Sequence, residues 1–319
     1  MSSDIDFVIT WVDGSDPKWL ADRAKYAPKG EKIDESRYRD WGFLRYWFRA
    51  VEANAPWVRK IHFVTYGHIP EWLDTSNPKL HIVKHEDFID KKYLPTFNSC
   101  AIEMNLHKIP GLSEKFVYFN DDMFLNKPVK QDFFFEGESP RDSYVITGQN
   151  KPMTQAQKIN YNCNRSVDSF DSFSIKKISL RNGLLMSLRN IVSYASKHRY
   201  NSKHMPASFT KSTYADFCRL NPDVVQDTNE SRFRKDNNIS QWAIEFYQQA
   251  IGVTVPRNYR FAKYYQLYGN SEMISNDIKN GKHLIICIND SEAGTDSVDG
   301  IVKAFEGKYC KKSKFEREA

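Results

Sequence analysis

Cysteine is scarce in this chain. Five occur in 319 residues (Cys100, Cys163, Cys218, Cys287 and Cys310), an odd number with no CxxC pair. That spacing offers no disulfide framework and no structural zinc site, and it reads as a set of reduced thiols. No stretch approaches the ~18 consecutive apolar residues needed to cross a membrane. The first strand-like run carries Asp4, Asp6 and Asp13, which does not fit a secretory signal. There are no internal repeats and no low-complexity tracts. A net charge of +6 is too mild for a nucleic-acid binder, and no Lys/Arg-striped helix or helix-turn-helix signature accompanies it. The charge suits an anionic ligand or an anionic membrane face. These absences predict a cytoplasmic protein with no nucleic-acid partner. What the chain does have is an apolar share of 40% with 14% aromatics, enough for a sizeable core and for stacking surfaces.

The order of patterns predicts an α/β fold. Ile5–Val12 reads as a buried strand closed by the turn Asp13-Gly14-Ser15-Asp16-Pro17. The polar stretch 21–34 reads as loop or loose helix. Arg37–Asn54 has helical period through Leu44, Trp47, Phe48 and Val51. Ile61–Tyr66 and Leu80–Val83 are further strands. A helix capped at Ser99 runs to about Lys108, before Pro110 and Gly111. Then Phe116–Phe119 forms a strand that delivers Asn120, Asp121 and Asp122. The sum is a Rossmann-like, mostly parallel sheet. Residues 148–203 read as a helical insertion, including a helix over 178–196. His283–Ile288 is a late strand expected to rejoin the sheet, and a last helix covers about 297–311. The expected organisation is one catalytic domain: 1–147 an α/β ligand-binding part, 148–203 the insertion, 204–319 the second half of the site.

The strand-end triplet carries the chemistry. Carboxylates at the C-terminal end of a strand lie where open α/β sheets bind ligands. The mutual repulsion of Asp121 and Asp122 would be relieved by Mg²⁺ or Mn²⁺, hard cations that pair with carboxylates and phosphates. Glu103 and His107, four apart in the expected helix, would share a face, either as acid/base partners or ligands, or as an ordinary surface pair. His204 precedes a rigid Met205-Pro206 turn. Arg232 and Arg234 flank Phe233 and could fork onto phosphate oxygens, or lie in a solvated loop. The basic end, Lys303, Lys308, Lys311, Lys312, Lys314 and Arg317, reads as a solvated helix face and frayed tail, with attraction to anionic lipid as the alternative.

Several blocks resemble the Stealth family of sugar-phosphate transferases: Ile5–Pro17, Ala55-Pro-Trp-Val58, Leu94-Pro-Thr-Phe97, Leu112–Met123, His204-Met-Pro206, the Arg234 region and Cys287-Ile-Asn-Asp290. They follow the family's order over nearly the whole chain; residues 150–200 match least. Trp41-Gly42-Phe43 resembles the bacterial capsule members rather than the animal N-acetylglucosamine-1-phosphotransferase. Asn237-Asn238 departs from that enzyme's Glu-Asp.

The resemblance implies a nucleotide-sugar transferase type of sheet and transfer of hexose-1-phosphate or N-acetylhexosamine-1-phosphate from a UDP-sugar. The donor would be a UDP-hexose or a UDP-N-acetylhexosamine. The acceptor would be a hydroxyl of a lipid-linked cell-surface or capsular glycan, and UMP would leave. A metal-dependent glycosyltransferase releasing UDP is the alternative. The implied catalytic set is Glu103, Asp122, His204 and Arg234. Asp121 and Asp122 would hold Mg²⁺ or Mn²⁺. Asp13, Gly14, Asn120, Arg232 and His107 would contact substrate. The implied place is the cytoplasm, with peripheral contact at the inner membrane face.

Overall fold

The protein is described here by a computed structural model covering residues 4–29, 38–147, 152, 154–171, 175–195, 199–290 and 297–318. The expected loop at 21–34 and the edges of the insertion fall partly outside those residues.

Strand alternation builds the frame. In β1 (Ile5–Thr10), Ile5, Phe7 and Ile9 enter one apolar cluster and Val8 enters another, so each face of the sheet has its own core. β1 pairs in parallel with β2 (Ile61–Thr65) and β4 (Lys115–Asn120), and β2 pairs in parallel with β3 (Leu80–Lys84). Thr10 sits opposite both Val64 and Asn120, so three strands end at one level. β5 (Met123–Leu125) follows β4 after a two-residue link. A strand not foreseen from the sequence, β6 (Ala207–Thr210), closes the far edge antiparallel to β4. The sheet is therefore mostly parallel, as expected.

Helix α1 (Pro17–Tyr26) starts on Asp16, whose carboxylate accepts from the Trp19 amide. Helix α2 (Leu44–Asn54) buries Leu44, Trp47, Phe48 and Val51 in the first core. It begins later than its periodicity suggested. Gly42 has φ +74°, and Asp40 Oδ1 accepts from its amide at 2.6 Å, which sets a turn before the helix. Arg37 lies outside the described residues.

Three other expectations are corrected. The helix expected over 99–108 is two pieces: α3 (Ser99–Glu103), capped by Asn98, and a 3₁₀ turn, Leu106–Lys108. The break is at Asn105, whose side-chain amide donates to the Ala101 carbonyl and to Asn229 Oδ1, both at 2.8 Å, an alternative to continuing the helix. The late strand does not rejoin the main sheet. It forms a second sheet in which β8 (Ile285–Asn289) lies between β7 (Ala262–Gln266) and β5. The C-terminal segment is no frayed tail. Lys308 Nζ donates to Asn126 O at 2.6 Å and to Ile278 O at 2.7 Å, Phe315 is buried, and Arg49 clasps Glu316 at 2.7 Å through two nitrogens.

The insertion leaves and returns at one point, where Ile146–Thr147 pairs antiparallel with Arg199–Tyr200. It contains α4 (Gln155–Arg165) and α5 (Leu184–Ala195). Helix α6 (Trp242–Ala250) follows, almost wholly buried in the second core.

Candidate active site

Just past the end of β1, Asp13 caps its own turn, its Oδ1 accepting from the Ser15 amide at 2.8 Å and hydroxyl at 2.6 Å. Gly14 is required there by a close approach. A Cβ would lie 2.3 Å from the Tyr38 carbonyl, which instead accepts the Gly14 amide at 3.1 Å. The contact holds Tyr38 over the strand ends, against Trp19 with ring centroids 4.9 Å apart. Behind them Phe97 stacks on Phe233 at 5.3 Å. The result is a cavity of about 170 Å³ walled by Trp11, Trp19, Tyr38 and Phe97 and floored by Asn120, Asp121 and Arg234. Flat aromatic walls interleaved with polar groups such as Thr96 and Ser99 suit a ring-bearing ligand with polar edges.

A second cavity of about 480 Å³ shares Asn120 and Arg234 with the first. It is lined by Glu103, Lys203, His204, Trp242, Tyr264 and Asn289. His204 reaches it from a strained backbone, φ +52°, a region that non-glycine residues seldom occupy and that gathers at functional sites. Its Nε2 lies 3.3 Å from Asp122 Oδ2, and the Cys287 thiol donates to the same oxygen at 3.2 Å. Asp122 Oδ1 is buried with no partner.

The charges are arranged against one another. Burial pulls the His204 pKa down, but the Asp122 carboxylate, with Glu103 behind it, outweighs this and holds it above its ordinary value. Asp121 reaches solvent at the cleft floor, yet the protein around it and the like charges of Asp122 and Asp40 push its pKa up to about 7. Glu103 is buried, accepts from the Gln241 amide at 3.1 Å, and has its pKa raised by desolvation, with Arg234 pulling the other way. Arg234 donates to the Ser99 hydroxyl.

These residues fit a divalent cation. Asp122, His204 and Cys287 each offer a ligand atom within 4.8 Å of the others. A buried carboxylate oxygen is unsatisfied, and a crowd of like charge surrounds it, which a cation would relieve.

Of the residues singled out in the sequence, Glu103, Asn120, Asp121, Asp122, His204 and Arg234 meet around the two cavities. Asp13 and Gly14 shape the strand end through Tyr38. His107 and Arg232 stand apart. The helix break turns the buried His107 ring onto Tyr214 with centroids 5.2 Å apart, and burial lowers its pKa to about 4. Arg232 donates to the Pro95 carbonyl at 2.6 Å and lies over Tyr26. Asn238 is buried, holding Asn98 and the Lys235 amide. Sequence reasoning missed Tyr38, Trp242 and Tyr264, aromatics without a spacing signal. It also missed the part played by Cys287, although the polar end of that strand was visible. The five cysteines form no disulfide in this structure.

Comparison with known proteins follows the same segments. Residues 3–31 match Stealth protein CR1, conserved region 1, and residues 37–142 match Stealth protein CR2, conserved region 2. The capsular polysaccharide phosphotransferase WcwK of Streptococcus pneumoniae is 40% identical over 98% of each chain. The exopolysaccharide phosphotransferase cps2G of Lactiplantibacillus plantarum is 39% identical over 98% of this chain and 96% of its own. The solved structure of the galactosyltransferase LgtC aligns with 96% of this chain and 95% of its own at 10% identity and a TM-score of 0.39, too distant to argue from.

Proposed function

The chain belongs to the Stealth family, and from that premise we propose that it transfers hexose-1-phosphate or N-acetylhexosamine-1-phosphate from a UDP-sugar to a hydroxyl of a capsular or other cell-surface glycan. The observation that carries the reading is the pair of cavities joined at Asn120 and Arg234: one walled by aromatics and sized for a base, the other holding Glu103 and His204. The named activities of WcwK and cps2G, both polysaccharide phosphotransferases, support the reaction class.

In this reading the uracil lies among Trp11, Trp19, Tyr38 and Phe97. The pyrophosphate crosses the junction between Arg234 and the aspartates. Asp121 and Asp122 would hold a Mg²⁺ or Mn²⁺, with His204 left as the base rather than a ligand, and the ion would supply neutralisation of phosphate charge. The His204 Nε2 then accepts the proton of the acceptor hydroxyl, whose oxygen bonds to the β-phosphorus. The bond from that phosphorus to the bridging oxygen breaks, and UMP leaves with the oxygen. The chain's own work is positioning and charge, which is what phosphoryl-type transfer asks of a protein. Glu103 keeps Arg234 and His204 in place from behind.

Incubation with a panel of UDP-sugars, Mg²⁺ and an oligosaccharide acceptor tests this. UMP and a phosphodiester-linked sugar are expected. Release of UDP with a glycosidic product would overturn it in favour of a glycosyltransferase.

A further inference from the structure

Helix α5 is amphipathic the wrong way round. A helix on a globular surface buries its apolar stripe and shows its polar one. Here the inward positions include Ser187 and Asn190. Ser187 Oγ donates to Ser179 O at 2.7 Å, and Asn190 Nδ2 donates to Lys177 O at 2.6 Å and Tyr144 O at 2.8 Å. These bonds fix the rotation of the helix, so the outward face is not an accident of a loose element. That face carries Leu184, Leu185, Leu188 and Ile191, and beside it lie Ile175 and Leu180, with exposures from 49% to 74%. Leu184, Leu188 and Ile191 are spaced i, i+4, i+7, one stripe along the axis.

Charge says what fits this face. From 175 to 203 the sequence holds seven Lys and Arg (176, 177, 181, 189, 197, 199 and 203) and no Asp or Glu. Lys177 is buried against Asp171, and Arg181 is held by Glu136 at 2.9 Å. Arg189 is exposed next to Leu188, and the pKa of Lys203 is lowered by burial and, less, by Arg189. Lys203 lines the larger cavity beside His204. An apolar stripe whose own segment carries basic and no acidic residues is the pattern of a helix lying in the interface of an anionic bilayer. A second copy of this chain would bring two all-basic segments together. No helix among the described residues is long and apolar enough to cross a membrane, so the contact is one of lying on the surface.

We propose that the 175–195 face, led by α5, docks this protein on an anionic lipid surface and turns the His204 cavity toward it. The docking is independent of the transfer chemistry; only its bearing on a lipid-linked acceptor rests on the function proposed above. The C-terminal basic segment, the other candidate in the sequence, is folded against the body through Lys308, Phe315 and Glu316, and this proposal assigns the anchor to α5 instead.

The test is flotation of the full chain with vesicles of phosphatidylcholine and phosphatidylglycerol in a 3:1 ratio, with phosphatidylcholine alone as the reference. No donor or metal is needed, so a failed transfer assay leaves this result interpretable. The wild-type chain should float with the anionic vesicles and not with the neutral ones, and raised salt should release it. Leu184→Glu with Leu188→Glu should cut the floated fraction about tenfold or more, since it puts charge where the acyl boundary would be. Its thermal midpoint and its turnover on a soluble acceptor should be unchanged. Lys311→Glu with Lys312→Glu should float like the wild type. A wild-type chain that stays at the bottom, a leucine variant that floats equally, or loss of flotation only in the lysine variant would each overturn the proposal. So would a wild-type dimer by light scattering that the leucine variant converts to monomer, because the face would then join two copies.

Discussion

Asp6 and Asp121 lie at opposite ends of one pair of strands and are treated in opposite ways. Asp6 stands across from Phe116 near the start of β4, and Asp121 comes five residues later. Asp6 is wholly buried, which by itself would raise its pKa. His62 and Arg59 outweigh that and lower it, at 2.9 Å and 2.8 Å, with the Ser113 amide at 2.9 Å. Asp121 is compensated too weakly: the protein around it, Asp122 and Asp40 outweigh its own backbone amide and His204, and its pKa rises to about 7. One end of the sheet satisfies its carboxylate from within; the other leaves carboxylates waiting for something from outside. Strain, an orphaned oxygen and like charge are concentrated at the second end, where the cavities are.

The sharpest way to break that contrast is to neutralise one carboxylate at each end. Asp122→Asn should lower turnover about 10²–10³-fold, the scale for one removed electrostatic contact in a preorganised site, with an unchanged or higher thermal midpoint. Asp6→Asn should do the reverse. It leaves Arg59 without its counter-charge and should cost about 3 kcal/mol of stability, at the low end for a buried pair because Arg59 keeps a third of its side chain in water. Its turnover per folded molecule should hold. Denaturant melts and steady-state rates on both variants decide it; loss of activity without loss of stability in Asp6→Asn would dissolve the contrast. Next in size is Arg234→Lys, expected to lower turnover about tenfold or more because a point charge does not replace a fork on phosphate. A rate within twofold of wild type would remove the bidentate role.

The two ends also titrate with opposite sign. The pKa of Asp6 is lowered on folding, so its stabilisation is present above the ordinary carboxylate range and is lost as pH falls through the folded value. The pKa of Asp121 is raised, so the folded chain holds a proton the unfolded chain has released. Its contribution to stability therefore declines as pH rises from about 4 to about 7, then levels. Since the same proton competes with a cation, Mn²⁺ affinity should weaken as pH drops below about 7, by up to tenfold per unit. Calorimetric Mn²⁺ titrations from pH 5.5 to 8 should show the slope in the wild type and less of it in Asp121→Asn. A flat wild-type profile would mean that Asp121 is not part of the cation site.

What the sequence revealed and what it hid follow from range. Asn120-Asp121-Asp122 is contiguous and ends a strand whose period is visible, so its position at the sheet's edge could be read directly. The stop at Asn105 could not be, because the partner that holds it, Asn229, lies 124 residues away. The amphipathic pattern of α5 was legible, but not which side faces out, since that depends on the carbonyls of Tyr144 and Lys177 accepting from Asn190. Cys287 and Tyr264 reach the site from a separate sheet, and no local pattern says that their strands would turn toward His204 rather than join the first sheet.

The smallest expected effect marks the edge of the site. His107 shares helical spacing with Glu103 in the sequence and would be a natural proton partner if the helix ran on. The break at Asn105 sends its ring onto Tyr214, stacked at an interplanar angle of 24°. Its Nδ1 is buried without a partner, and its pKa near 4 keeps the ring neutral at working pH. A neutral buried ring whose main contact is a stack can be exchanged for another ring of similar size. His107→Phe should leave turnover, KM and the pH profile as they are, and shift stability by no more than about 1 kcal/mol, the range for swaps that keep volume. The pH profile is the readout that separates packing from chemistry here. A tenfold fall in turnover with an altered profile and an unchanged melt would join His107 to Glu103 after all, and move the boundary of the site past the helix break.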